Sequence, residues 1–334
     1  MTNGKEIKHI ESFVTKHKSY TGRKLRNLKG IMIHSVGTAQ PSAEVFVKRY
    51  NDTNREDAVH GIIDGVTGKF YQILPWDKIA PHCGGIALYG YNFLIGIEMC
   101  ESEIIEYPIE DGKEYKYSDG SVAISRTYWK EQNRVSNRGG TTEEVMRRTY
   151  KTAVELFAFL CKLYNLDPLG KYNITGSKQG YVITGHKEGH EDGIASNHSD
   201  PDHIWSRFDL DLPRFRRDIN QAMDYIEFMI QVKVPAVQKD GEQIQTELRN
   251  IGIETLLVLD NGPQLGPFQT KEDADKALLE LKKQKYKVNN KTLNYDGFIT
   301  WEMKQKASNL EEENPNLDST DSDSSETDGY CDLI

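Results

Sequence analysis

The run NFLIGIEMC, residues 92–100, is apolar almost throughout, and Glu98 is the acidic residue set into it. An apolar run of this kind reads as a strand near the centre of a sheet, covered on both faces. A carboxylate inside such a strand is costly unless a partner or a metal stands nearby, so Glu98 is a candidate functional group from the outset.

Other segments supply the layers that this strand needs. KGIMIH, residues 29–34, follows the basic residues Arg23, Lys24 and Arg26 and reads as a buried strand ending at His34. HGIIDGVTGKFYQIL reads as a hairpin, with Asp-Gly and Thr-Gly between Asp64 and Gly68 supplying the turn. From Thr141 to Tyr164 the residues Met146, Tyr150, Ala153, Phe157, Leu160 and Tyr164 recur at helical steps, and Thr141 with Glu144 forms a capping box. GYVITGH, residues 180–186, reads as a further strand ending in a histidine. Strands alternating with helices predict an α/β fold, a central mixed sheet flanked by helices. The polar stretch 101–140 is long for a connection, and unstructured loops of that length are often functional.

From about Phe228 the pattern changes. FMIQVKVPAV, KDGEQIQTELRNIGI, ETLLVLDNGPQLGPF and TKEDADKALLELKKQKY read in turn as strand, helix, strand with turn, and amphipathic helix, which predicts a small α+β C-terminal domain over residues 228–300. The segment 307–334 holds nine acidic residues and no Lys or Arg, and is expected to be disordered because it has too little apolar surface to offset chain entropy. Those nine charges equal the formal net charge of −9, so residues 1–306 are neutral overall. A neutral body gives no sign of the basic face that nucleic-acid binding needs.

No membrane span is expected, and MTNGKEIKHIESFVTKHKSY lacks the apolar core of a secretory signal, so the expected location is cytoplasmic. Cys83, Cys100, Cys161 and Cys331 form no CxxC pair and are expected as buried or free thiols.

Histidines carry the functional signal. His186, His190, His198 and His203 fall within eighteen residues, beside Asp192, Asp200 and Asp202. With His34 they supply imidazoles and carboxylates at strand ends and in one loop, the donors of a catalytic zinc site with an open position for water. Water bound to zinc ionises near pH ~7 in place of ~15.7. Spacing alone leaves the ligand set open, since any one histidine is more often a surface or core residue.

IMIHSVG, HGIIDGVTGKFYQILPWDKIAPHCGG, LIGIEMCE and TGHKEGHEDGIASNHSDPDHIW together resemble the type 2 N-acetylmuramoyl-L-alanine amidases, whose fold is shared with peptidoglycan recognition proteins. The likeness spans residues 7–220 with its blocks in order, and assigns a catalytic domain to residues 1–222. It implies Zn²⁺ as cofactor, bacterial peptidoglycan as substrate, and hydrolysis of the bond between the lactyl group of muramic acid and L-alanine. Carried over, the metal ligands are His34, His186 and Asp200, with His190, His198 and His203 competing for the third place. Glu98 takes the role of general base. His198 occupies the position where the family commonly has an oxyanion-stabilising lysine, a departure that would make activity depend on imidazole protonation. His60, Tyr71, Trp76 and His82 fall in the block that lines the family's substrate groove, where plain core packing is the competing explanation for Trp76.

The stretch from Val232 to Tyr286 is similar to SPOR-type domains, centred on LGPFQTKEDADKALLELKKQKY, which implies binding to glycan strands; a generic appendage for packing or dimerisation is the alternative. For the whole chain the expected setting is an endolysin or autolysin, cytoplasmic until released to the cell wall. A recognition protein that binds peptidoglycan without cutting it is the rival, and Asp200 at the third position favours hydrolysis. A peptidase built on HExxH is disfavoured, because HKEGH at 186–190 has its glutamate at the wrong offset and lies beside Gly189 and Gly193 in turn-like surroundings.

Overall fold

A computed structural model describes residues 8–303, except 26, 85–88, 107–113, 117–121, 125–129, 132–135, 176–177, 234–240, 259–261 and 289–290. The acidic segment 307–334 lies outside the described residues.

The elements run β1 (His9–Glu11), β2 (Gly30–Ser35), α1 (Ala43–Tyr50), β3 (Gly61–Ile63), β4 (Phe70–Gln72), β5 (Leu94–Met99), β6 (Ile105–Glu106), β7 (Glu114–Lys116), β8 (Val122–Ile124), β9 (Lys130–Glu131), α2 (Thr142–Tyr164), β10 (Lys171–Thr175), β11 (Lys178–Tyr181), β12 (Ile183–Gly185), α3 (His186–Glu191), α4 (Asp202–Trp205) and α5 (Leu212–Met223). The C-terminal part adds β13 (Ile226–Val232), α6 (Gly241–Asn250), β14 (Leu256–Val258), β15 (Gly262–Phe268), α7 (Lys271–Lys283), β16 (Lys285–Val288), β17 (Lys291–Asn294) and β18 (Gly297–Met303).

The fold is mixed α/β. Its six-stranded sheet has the order β1-β4-β3-β5-β2-β12, with β3 and β4 antiparallel and the other pairs parallel. The apolar run singled out in the sequence is β5, and it sits inside the sheet between β3 and β2. Ile63 joins the core under α2 and α5, whereas Ile62 joins a second core with Phe46 and Tyr50 of α1. Successive residues of a strand point to opposite faces, so helices cover the sheet on both sides.

Helix α2 begins with the capping box expected from its sequence: the Thr141 side chain accepts from the Glu144 backbone N–H, and Glu144 accepts from that of Thr141. Between β5 and α2 the chain is not all loop, since β6 pairs with β9 and β7 with β8 in two small antiparallel ladders. Cys83, Cys100 and Cys161 are free and buried. Among the described residues no helix is long and apolar enough to cross a membrane.

After Tyr225, β13, β14, β15 and β18 form a separate antiparallel sheet, order β14-β15-β13-β18, with α6 after β13 and α7 after β15, and β16 pairs with β17 in a two-stranded ladder between α7 and β18. Helices α6 and α7 pack on the sheet around Ile230, Val232, Ile244, Leu248 and Leu281. The far end of the same sheet shares the main core. Phe228 and Trp301 lie 5.9 Å and 5.1 Å, ring to ring, from Phe159 of α2.

Candidate metal centre

Neighbouring strands put the first two functional side chains side by side. In the parallel pairing of β2 with β5, His34 stands opposite Glu98. On the other side of β2 lies β12, whose last residue Gly185 faces Ile33. His186 follows as the first residue of α3. The sequence expectation of a strand ending in a histidine, amid turn-like glycines, is corrected here: His186 opens a short helix. Gly189 fits within it because a Cβ at that position would meet the Met32 methyl group at 2.6 Å, so the missing side chain lets α3 sit close on β2.

A buried polar anchor holds α3 in place. Arg216 of α5 donates to the Ile183 carbonyl and pairs with Glu188, which also accepts from the Thr184 hydroxyl. The loop after α3 then returns Asp200 to the same point, where the Lys187 N–H donates to its backbone carbonyl. The peptide between Asp200 and Pro201 is cis.

Among the described residues, His34, His186 and Asp200 are the group whose ligand atoms converge, all within 4.8 Å of one another and all buried. The Nδ1 atoms of His34 and His186 are 3.0 Å apart, and Asp200 Oδ2 is 3.2 Å from His34 Nδ1. Two imidazole nitrogens and a carboxylate oxygen are donors that zinc accepts, and three protein ligands leave one position open. This donor set fits a divalent cation of that kind.

Electrostatics follow from burial. Burial alone would raise the Asp200 carboxyl, but the His186 and His34 imidazoles outweigh it and hold the group below the usual carboxylate range. Burial lowers His186 to about 3, so it is neutral and able to ligate. Glu98 is raised to about 7, by burial first, against the pull of His34 and with the help of Asp200.

The remaining sequence candidates fall in three positions. His198 is half-exposed beside the centre, its ring 4.3 Å from that of His186 and its Nδ1 3.8 Å from Asp200 Oδ1. His190 is turned to the Ala195 carbonyl at 3.3 Å, and His203 pairs with buried Glu101 at 3.1 Å, so neither belongs to the converging set. His60, His82 and Trp76 form a wall behind the centre. His60 is fully buried, with one ring nitrogen on the Lys78 carbonyl and the other accepting from the Gly96 N–H. Trp76 stacks on Phe70 at 5.8 Å and on His60 at 6.2 Å. Tyr71 is half-buried on β4 and packs against the core beneath α1.

Two residues that sequence reasoning passed over belong to this neighbourhood. Ser196 has its hydroxyl 3.0 Å from His186 Nε2, and Glu101 accepts from the Gly37 N–H while holding His203. Ser196 stood inside the SNHSD block, but a lone serine there carries no spacing signal.

The family model for N-acetylmuramoyl-L-alanine amidase matches residues 24–203. No curated protein matches the chain. Among solved structures, the hydrolase AmiA of Staphylococcus aureus in complex with its ligand is similar at 13% identity and a TM-score of 0.43, over 66% of this chain and 84% of that one. A mutant endolysin from Bacillus subtilis is similar at 15% identity and a TM-score of 0.41, over 64% and 99%. The N-acetylmuramoyl-L-alanine amidase LysC from Clostridium intestinale is similar at 14% identity and a TM-score of 0.29, over 61% and 99%.

Proposed function

The chain belongs to the N-acetylmuramoyl-L-alanine amidase family, and we propose that it hydrolyses the lactyl-L-alanine amide of bacterial peptidoglycan with zinc held by His34, His186 and Asp200. The observation that carries this is the convergence of those three buried ligand atoms beside Glu98. When bound, zinc would polarise the scissile carbonyl and bring the pKa of a water to ~7.

The chain's own groups do the rest. Glu98 accepts the proton of the attacking water and returns it to the departing amine nitrogen, and a carboxyl pushed up to about 7 can do both near neutral pH. His198 overhangs His186 on the solvent side, where its imidazole can donate to the oxygen of the tetrahedral intermediate. Buried His82, against His34, and buried His60 behind it close the back of the centre. A recognition protein that binds without cutting would not need a third ligand, and Asp200 supplies one.

The C-terminal part is proposed to hold the enzyme on its polymer in the manner of SPOR-type domains, raising local substrate concentration. Its succession of strands and helices supports that reading. The region of its sheet around Thr300 is taken up by His9, so a glycan strand would meet it elsewhere. The proposed setting is that of an endolysin or autolysin.

Digestion of purified cell wall tests the reaction. Mass spectrometry should find free muramoyl lactyl groups paired with new L-alanine amino termini, and a chelator should abolish both. New reducing sugar ends in their place would identify a glycosidase and end this assignment.

A further inference from the structure

His82 stands one hydrogen bond behind His34, and its surroundings settle which of its nitrogens carries the proton. Its Nε2 lies 3.2 Å from the Leu94 carbonyl oxygen. A carbonyl oxygen only accepts, so Nε2 carries the hydrogen and Nδ1 of the neutral ring presents a lone pair. That Nδ1 lies 2.9 Å from His34 Nε2 and 3.5 Å from Cys83 Sγ, whose S–H is directed to Met32 Sδ; two nitrogen lone pairs at 2.9 Å would repel, so His34 Nε2 is the donor. With its proton on Nε2, a neutral His34 exposes a lone pair at Nδ1, the atom that faces His186 and Asp200 and that a cation held by these residues would take up. Without a cation the Asp200 carboxylate, 3.2 Å away and only an acceptor, pulls a proton toward Nδ1 against the His82 hydrogen bond.

We propose that His82 is a positioning residue that fixes the His34 tautomer and ring orientation, so that Nδ1 is presented for metal ligation; the inference rests on the cation reading of the centre given above. His82 lies in the block that the sequence assigned to the substrate groove, but it is buried and both ring nitrogens are engaged. The fold makes room for this ring specifically. A Cβ at residue 96 would fall 2.4 Å from the His82 ring, so Gly96 on β5 is the gap into which the imidazole fits. The Gly96 N–H in turn donates to His60 Nδ1, which ties the adjacent wall residue to the same strand.

The neighbouring segment reaches the second imidazole as well. The Cys83 carbonyl accepts from the Ser196 N–H at 2.8 Å, and Ser196 Oγ lies 3.0 Å from His186 Nε2. A Cβ at Gly84 would fall 2.1 Å from that hydroxyl oxygen, so Gly84 lets the two segments meet. A hydroxyl both donates and accepts, so Ser196 orients His186 without dictating its tautomer. The carbonyl-to-His82-to-His34 chain favours one, with Nδ1 left for a cation. Outer partners of this kind raise ligand basicity, and their loss typically costs about 10–100-fold in metal affinity.

The test uses full-length protein with two variants. His82→Phe fills the space without an acceptor, and His82→Asn returns an acceptor oxygen close to the place of Nδ1. In metal-free protein, where His82 Nδ1 and the Asp200 carboxylate compete for the His34 proton, long-range ¹H–¹⁵N correlation spectra should show a clearly larger Nε2-protonated population of His34 in the parent and in His82→Asn than in His82→Phe. Zinc affinity, measured by competition with a chromophoric chelator, should fall about 10–100-fold in His82→Phe and recover most of that loss in His82→Asn. An unchanged His34 tautomer and unchanged zinc affinity in His82→Phe would overturn the proposal. If His82→Phe does not fold, a His82→Asn protein with the opposite tautomer would do the same. Should the parent carry the Nε2 proton and bind no zinc, the hydrogen-bond relay stands and the cation reading falls.

Discussion

His34 and Glu98 face one another across the parallel pair β2 and β5, one residue offering an imidazole nitrogen to the converging donor set and the other a carboxyl raised by burial. Their register separates two roles that mutation can tell apart. Glu98→Gln should retain zinc by elemental analysis and lose about 10²–10⁴-fold in turnover, the usual contribution of a positioned general base. His34→Ala and Asp200→Ala should lose metal and activity together. Full zinc occupancy in the Asp200 variant would move the third ligand elsewhere in the loop.

Gly96 is the second point of leverage. A methyl group there would sit 2.4 Å from the His82 ring, whose own nitrogens are held by Leu94 and His34. Gly96→Ala should therefore displace the ring and destabilise the fold by about 1–3 kcal/mol, as overpacking of a filled core does. Urea denaturation monitored by tryptophan fluorescence reads the loss. A variant as stable as the parent would mean the ring has somewhere else to go.

Much of this was legible in the sequence where periodicity speaks. The continuous apolar run of β5, the helical spacing from Met146 to Tyr164 and the Thr141–Glu144 capping box each predict one local structure, and each forms. The grouping of His34, His186 and Asp200 came from likeness to a family, because spacing alone left His190, His198 and His203 open. What separates them is where α3 and the following loop turn, a matter of tertiary packing through Arg216 and Glu188. His82 was legible as a residue of interest but not in its role. Its partners are a backbone carbonyl and an imidazole 48 positions away, and no local pattern encodes either.

The start of α2 gives a prediction confined to stability. Thr141 Oγ1 accepts from the Glu144 N–H at 3.2 Å, and Glu144 Oε2 accepts from the Thr141 N–H at 2.7 Å. Thr141→Ala removes one of these bonds and should cost about 1 kcal/mol. Chemical denaturation should show the shift while amidase turnover on cell wall stays at the parental level. A fall in turnover with unchanged stability would show that this end of the helix matters to the site.

The junction between the two sheets sets a pH dependence whose sign can be worked out. His9 of β1 is buried, with Nε2 on the Gln72 side-chain oxygen at 3.0 Å and Nδ1 on the Thr300 hydroxyl at 3.2 Å. The Gln72 amide nitrogen donates to the Leu74 carbonyl, so its oxygen is the atom left for His9, and Nδ1 then accepts from Thr300. Burial, against a smaller opposing effect of the Gln72 hydrogen bond, lowers His9 to about 3 from its ordinary 6.5. Between those values the unfolded chain takes up a proton that the folded chain refuses. Stability contributed by a neutral His9 is thus fully present above pH 6.5 and is lost as pH falls toward 3, with a limiting slope of about 1.4 kcal/mol per pH unit. His60, lowered by burial to about 4, adds a slope of the same sign. Denaturation midpoints measured from pH 7 to pH 4 should therefore decline, and the decline should be shallower in His9→Asn. Parallel curves for parent and variant would place the acid sensitivity at another group.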